Sequence, residues 1–75
     1  MESMLIDLPR KIKRIREEKE ITQKELAKMS GVSYSTLTKL ETGVIKNPSF
    51  EVVLRIIKAL EIDLSDLMWN ENIQQ

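Results

Sequence analysis

The feature that most constrains this chain is a helix-start signal that occurs three times within 75 residues. Each signal combines a Ser, Thr or Asp that can cap a helix with an aliphatic residue before it and a Leu four positions after it. The cap accepts a hydrogen bond from the first turn, and the two apolar residues pack on each other across the helix start. The three signals begin at Ile21 and Thr22, at Val32 and Ser33, and at Ile62 and Asp63. They predict helices two, three and five.

Helix two has the most complete signal. Glu25 lies three residues after Thr22, so the two side chains can form a capping box, and Gly31 can end the helix in the left-handed conformation. Before this helix, the spacing of Leu8, Ile12 and Ile15 predicts helix one. It should end near residue 19 or 20.

Helix four is predicted over residues 50–60, after a cap at Ser49. Its apolar residues cover much more than one stripe, so we expect it to be a central helix that packs on several sides. No segment shows the two-residue alternation of a half-buried strand. The predicted fold class is therefore all-α, a compact five-helix bundle formed by residues 1–75 as one domain.

Composition excludes several classes of function. The chain has neither Cys nor His, so disulfides, thiol catalysis and the usual zinc sites are excluded, and no nucleophile–base pair is evident. We therefore expect no enzyme activity, no metal and no cofactor. No apolar run is long enough to span a membrane, and the start, MESMLIDLPRK, lacks the charge order of a signal peptide. The expected location is the cytoplasm.

The net charge is zero, but the charge is unevenly distributed. Residues 10–46 carry ten basic and five acidic side chains, whereas residues 47–75 carry two basic and five acidic ones. Such a dipolar surface can steer a polyanion, although solvated helix faces explain the same charges.

Helix three is unusual because it is rich in hydroxyl side chains, which are mediocre helix formers. At 100° per residue, Leu37 and Leu40 share one side with Glu41, while Ser35 and Lys39 lie almost opposite. This outer side of the helix carries short polar side chains, one lysine and one aromatic residue. Its members are Tyr34, Ser35, Thr36, Thr38 and Lys39. Tyr34 has a second interpretation, as a core aromatic. Only residues 31–33 separate helices two and three, a spacing typical of a helix-turn-helix, whose second helix enters the DNA major groove.

The segments ITQKELAKMSGVSYSTLTKLETG and KNPSFEVVLRIIKALEIDLSDLM resemble the phage-repressor/Cro-like, or lambda-repressor-like, helix-turn-helix family. The resemblance covers about residues 10–68, with the helix-turn-helix at 23–42 and the recognition helix at about 34–41. The markers that carry it are Gln23, Ala27, Gly31, Leu37, Leu40, Glu41-x-Gly43 and Asn47-Pro48-Ser49.

The resemblance implies a DNA-binding domain that acts as a dimer on a palindromic operator, here as a repressor or autoregulator. The residues at base-reading positions are Tyr34, Ser35 and Lys39, with Thr36 and Thr38 beside them. Gln23 falls where the family binds a phosphate and braces the first recognition residue. The other positions expected to contact phosphates are Ser33, Thr42, Lys46 and Asn47. Arg16 and Glu41 match a pair of ionic residues that links helix one to helix three.

Three residues depart from the family pattern. Glu20 stands where a glycine usually ends helix one, Ser30 replaces an apolar residue, and Thr42 replaces a frequent Asn or Arg. These departures predict modest stability or modest DNA affinity.

A homodimer is expected, and the interface predicted for it lies at the C-terminal end: Leu67, Met68, Trp69 and Ile73. We expect no membrane partner and no small-molecule ligand. One other function stays open, a protein-interaction module on the same fold, such as a toxin-neutralising partner. Zero net charge and the absence of Arg and Asn from the outer face of helix three favour that alternative.

Overall fold

The computed structural model describes residues 8–68, which form five helices. Their bounds are Leu8–Glu18 for α1, Gln23–Ser30 for α2, Tyr34–Glu41 for α3, Phe50–Leu60 for α4 and Leu64–Met68 for α5. The described residues contain no strand, so the predicted all-α class is confirmed. No helix in this range has both the length and the apolar content needed to cross a lipid bilayer.

The helix starts follow the side-chain caps predicted from the sequence. At α2, the Glu25 backbone N–H donates to Thr22 Oγ1 at 3.0 Å, and the Thr22 N–H donates to the Glu25 carboxylate at 2.8 Å, which completes the capping box. Ser33 caps α3 and Ser49 caps α4. In each case the serine Oγ accepts a backbone N–H of the first helical turn at 3.1 Å. These bonds satisfy amides that would otherwise have no partner in the first helical turn.

The start of α5 is held by a bond in the opposite direction. The Asp63 backbone N–H donates to Asp66 Oδ2 at 2.9 Å, which is the reverse half of a capping box. The start predicted at Asp63 is therefore correct, but the carboxylate that forms this bond belongs to Asp66.

Two helices end at a glutamate in the left-handed conformation. Glu20 follows α1 with φ 58°, and Glu61 follows α4 with φ 57°. At both ends the residue after the glutamate donates its N–H to the carbonyl of the residue five positions earlier. Ile21 donates to Arg16 O at 3.0 Å, and Ile62 donates to Ile57 O at 3.2 Å. This is the Schellman arrangement, in which glycine is preferred because L-residues, which carry a Cβ, are strained in the left-handed conformation.

The core is formed by aliphatic side chains from all five helices and from the turn before α3. Its members are Leu8, Ile12, Leu26, Val32, Leu37, Leu40, Ile56, Ile57, Leu60 and Leu67. All six apolar residues of the repeated start signals lie in this cluster or pack against it. One set of residues thus fixes both the helix starts and the interior.

The prediction of a dimer interface at Leu67 is wrong, because Leu67 is fully buried in the core. A side chain that covers the interior of its own subunit has no surface left for a second one. Three other predicted interface positions, the Met68 side chain, Trp69 and Ile73, lie outside the described residues.

The expectation that α4 is a central helix is also wrong. Its principal partner is α2, whereas α1 packs on α3 and α5. Only Ile56, Ile57 and Leu60 are buried along α4, and Phe50 is 65% exposed. The wide apolar surface of α4 therefore packs on the core on one side and faces solvent on another.

We expect Glu20→Gly to raise the free energy of unfolding by roughly 0.5–1 kcal/mol, because glycine relieves the left-handed strain but adds freedom to the unfolded chain. Urea denaturation measures the change. Lys19→Gly is the matched control, since Lys19 is also exposed and its φ is not positive. Glycine there should be destabilising. Equal losses in both variants would contradict the assignment of strain to Glu20.

Candidate nucleic-acid interface

One side of α3 is anchored in the protein and the other faces solvent. Leu37 and Leu40 are fully buried, and Glu41 is buried beside them. Ser35 and Lys39 are exposed, as their helical positions predict. The structure therefore leaves the non-leucine side of α3 uncovered by the described residues.

The remaining side chains of the outer face lie at its edges. Tyr34 is 47% exposed, which rules out the alternative that it is a core aromatic. Thr36 and Thr38 are half-buried. The outer face of α3, defined by Tyr34, Ser35, Thr36, Thr38 and Lys39, is thus one continuous polar surface with a single aromatic ring.

The turn between α2 and α3 is held tightly. Gly31 adopts φ 77°, and a Cβ there would lie 2.9 Å from Arg55 Nη1. Val32 is buried, and its N–H donates to Ser30 Oγ at 3.1 Å. This bond gives Ser30, which departs from the family pattern, a structural purpose: its hydroxyl satisfies a buried amide.

A buried ion pair joins α1 to α3. Arg16 Nε donates to Glu41 Oε2 at 2.8 Å, and Arg16 Nη2 donates to Glu41 Oε1 at 3.0 Å. The side chains are 9% and 1% exposed. The hydrogen bond to Glu41 raises the pKa of Arg16 above its ordinary value, against the opposing effect of burial. Arg16 therefore stays charged, and it meets Glu41 in the bidentate geometry that makes Arg–carboxylate pairs strong.

The pair extends into a network that reaches α2. Arg16 Nη1 donates to the Ile21 carbonyl at 2.8 Å, and Gln23 Nε2 donates to Glu41 Oε1 at 2.9 Å. We call these residues, Arg16, Ile21, Gln23 and Glu41, the Arg16–Glu41 network. It connects the end of α1, the start of α2 and the last turn of α3.

Gln23 differs from the expectation carried by the family resemblance. That resemblance predicts a brace between Gln23 and the first recognition residue, whereas here the amide nitrogen bonds Glu41. The bond depends on how α2 crosses α3, and no helical projection of the sequence reveals it. An amide carries a second N–H, so Gln23 retains one donor for a phosphate.

The segment after α3 presents Thr42, Lys46 and Asn47, all of them exposed. The Thr42 N–H donates to Thr38 O at 3.0 Å, and its hydroxyl donates to Lys39 O at 3.3 Å. Both donors of Thr42 are thus used inside the protein. Lys46 and Asn47 remain the side-chain donors of this segment, since Lys and Asn both carry N–H groups.

Among the described residues, no three Asp and Glu side chains are grouped so that they could hold a metal ion. What the interface offers instead is a polar helix face with neighbouring helix N-termini. The first amides of a helix lack intrahelical partners and point toward incoming anions.

Comparison with known proteins identifies the family. A sequence model described as helix-turn-helix matches residues 12–67. The chain belongs to this helix-turn-helix family, of the phage-repressor/Cro-like type that its motifs predict.

A curated relative is SlrR of Bacillus subtilis (strain 168), an HTH-type transcriptional regulator. It is 40% identical over 56 residues, which cover 75% of this chain and 37% of SlrR. The chain thus spans little more than a third of the length of that relative.

Solved structures of two proteins share the fold. The N-terminal DNA-binding domain of SinR from Bacillus subtilis matches with a TM-score of 0.81 at 27% identity, over 89% of this chain and 97% of that one. SinR in complex with DNA matches with a TM-score of 0.77 at 30% identity, over 80% and 95% of the chains. The restriction-modification controller protein C.AhdI from Aeromonas hydrophila matches with a TM-score of 0.78 at 28% identity, over 84% of this chain and 94% of that one.

We expect Arg16→Met to lower the free energy of unfolding by about 3 kcal/mol or more, because it leaves the Glu41 charge buried without its ionic partner. The double variant Arg16→Met/Glu41→Leu should lose less, since no buried charge remains. Urea denaturation of the two single variants and the double variant measures the coupling free energy.

The solvent-exposed pair Arg14–Glu18, 3.7 Å apart on α1, is the matched control. Its coupling should not exceed about 0.5 kcal/mol. Equal coupling in the two pairs would show that burial adds nothing to the Arg16–Glu41 interaction.

Proposed function

We propose that this protein is a sequence-specific DNA-binding transcriptional regulator, a repressor or autoregulator that acts by occupying an operator. The observation that carries the proposal is the polar outer face of α3, exposed on one side of a helix whose other side is locked into the core. The SinR–DNA complex, at 30% identity, supports it. In this proposal α3 enters the major groove.

The outer face has the chemistry for direct readout of base edges. Lys39 donates to guanine O6 or N7, and the exposed ring of Tyr34 packs on a thymine methyl group. Ser35 has a hydroxyl that can donate or accept. The face has no Arg or Asn for a strong bidentate contact, so base preference depends on single hydrogen bonds and on DNA shape.

Phosphate contacts flank this face. The free amides at the start of α3, after the Ser33 cap, and at the start of α2, beside Gln23, suit phosphate oxygens. Lys46 and Asn47 extend the contacts along the backbone. The basic excess of residues 10–46 supports this orientation of the protein toward DNA.

We also propose that a homodimer binds a palindromic operator, and that its interface includes the outer side of α4. Phe50 is 65% exposed, and Leu54, one turn later, is half-buried yet outside the set that packs on the core. Glu51 and Lys58 lie seven residues apart along one edge of this stripe. In an antiparallel α4–α4 contact, each Glu51 faces Lys58 of the partner subunit, as a self-complementary two-fold interface requires.

Binding to duplex DNA across a salt series tests the proposed function. A dimer that makes roughly 6–10 phosphate contacts should lose about 10³–10⁵ in affinity between about 50 and 200 mM salt. A protein-interaction module that has lost DNA binding would show weak binding and no such dependence. That result would overturn the proposal.

Two lysine variants separate base reading from backbone contact within the same experiment. Lys39→Ala should relax the preference at one base position of each half-site, whereas Lys46→Ala should weaken binding to all sequences alike. Selection of bound sites from a random duplex library measures both effects. Identical profiles for the two variants would contradict this division of roles.

Phe50→Glu should convert the dimer to a monomer, because it places a charge on the apolar stripe of the proposed contact. Sedimentation equilibrium measures the change. Val44→Glu is the control, since Val44 is 69% exposed in the loop between α3 and α4. That variant should remain dimeric. A Phe50→Glu protein that dimerises as the native chain does would exclude α4 from the interface.

A further inference from the structure

The hydroxyl groups of α3 differ in the hydrogen-bonding role that each has left for a ligand. Thr38 Oγ1 lies 2.9 Å from the Ser35 carbonyl and donates its proton to it. Threonine commonly bonds the preceding turn in this way inside helices. A hydroxyl has only one proton, so Thr38 can offer an incoming base only its lone pairs.

Thr36 has the opposite role. Ser33 Oγ accepts the Thr36 backbone N–H at 3.1 Å and donates its own proton to Thr36 Oγ1 at 2.9 Å. The Thr36 oxygen therefore already accepts a bond, and its own proton is free. Lys39 on the same face can only donate. The outer face thus places an acceptor, Thr38, beside the donors Thr36 and Lys39, whereas the Tyr34 and Ser35 hydroxyls can do either.

We propose that Thr38 is a specificity-determining residue that accepts a hydrogen bond from the exocyclic amino group of adenine N6 or cytosine N4. This inference rests on the proposed DNA-binding function and assigns one base preference within it. In the major groove, N6 of adenine and N4 of cytosine are the donors, whereas guanine O6 and N7 and thymine O4 are acceptors. Thr38 facing guanine or thymine would set lone pair against lone pair.

The same internal bond also fixes the threonine methyl group. Because threonine is branched at Cβ, the position of Oγ1 determines that of the methyl. An A·T pair offers this methyl an apolar partner, the C5-methyl of thymine, in addition to the adenine amino group. Adenine is therefore preferred over cytosine at the position that Thr38 reads.

Selection of bound duplexes from a random library, carried out with three proteins, tests the inference. The native chain should enrich A·T pairs over G·C pairs at one position per half-site. Thr38→Ser keeps the hydroxyl and should keep the selection for an amino group. Thr38→Val keeps the shape but lacks the acceptor, so it should reduce discrimination at that position about 3- to 10-fold, the value of one hydrogen bond. Preferences at other positions should not change.

Thr42→Val is the matched control. It makes the same chemical change at a hydroxyl that donates to the Lys39 carbonyl in the last turn of α3 and lies beyond the outer face. Its base preferences should equal those of the native chain even if its overall affinity falls, because the phosphate contact expected at Thr42 carries no sequence information. Circular dichroism of each variant verifies that α3 remains folded.

The outcomes separate this inference from the proposed function. If Thr38→Val retains every preference of the native chain, or if G·C pairs are enriched over A·T pairs at the position that Thr38→Val alone relaxes, the role assigned to Thr38 is wrong and the DNA-binding function stands. If the native chain enriches no sequence from the library, both are overturned.

Discussion

The orientation of the outer face of α3 depends on the Arg16–Glu41 network. The Glu41 carboxylate accepts three hydrogen bonds, two from the Arg16 guanidinium and one from the Gln23 amide, while its side chain is 1% exposed. Desolvation of two charges costs several kcal/mol, and only good geometry with further hydrogen bonds offsets it. The network meets that condition. Beyond stability, the network fixes the position of α3, because it attaches the last turn of α3 to α1 and to the start of α2.

That attachment matters because a short helix with two buried leucines is poorly fixed against rotation. Leu37 and Leu40 would tolerate a small roll of α3 about its axis, since apolar contacts have no direction. The bidentate contact of Glu41 is directional, and a roll would lengthen at least one of its bonds. Apolar replacement of the pair can preserve the fold, but it removes this directional contact, so we expect the rotation of α3 about its axis to be less well fixed.

The sequence predicted those features that local chemistry decides. The caps at Thr22, Ser33 and Ser49 need only a few neighbouring residues, and the exposed side of α3 follows from helical geometry. Tertiary packing decides the rest. At Leu67, a five-residue helix is too short for its periodicity to distinguish an inner from an outer side. The breadth of apolar residues on α4 fitted burial on several sides as well as an exposed stripe, and only the structure distinguishes the two.

The hydroxyl side chains of α3 link the stability of the helix to its chemistry. Ser and Thr lower helix propensity because their side chains compete for backbone groups. At α3 these side-chain bonds support the helix. The Ser33 hydroxyl oxygen accepts a backbone N–H at the helix start, and the Thr38 and Thr42 hydroxyls donate to backbone carbonyls one turn back. Each such bond also removes a proton or a lone pair from the set available to a ligand. The local bonds that let this segment stay helical therefore also determine which hydrogen-bonding groups it presents to solvent.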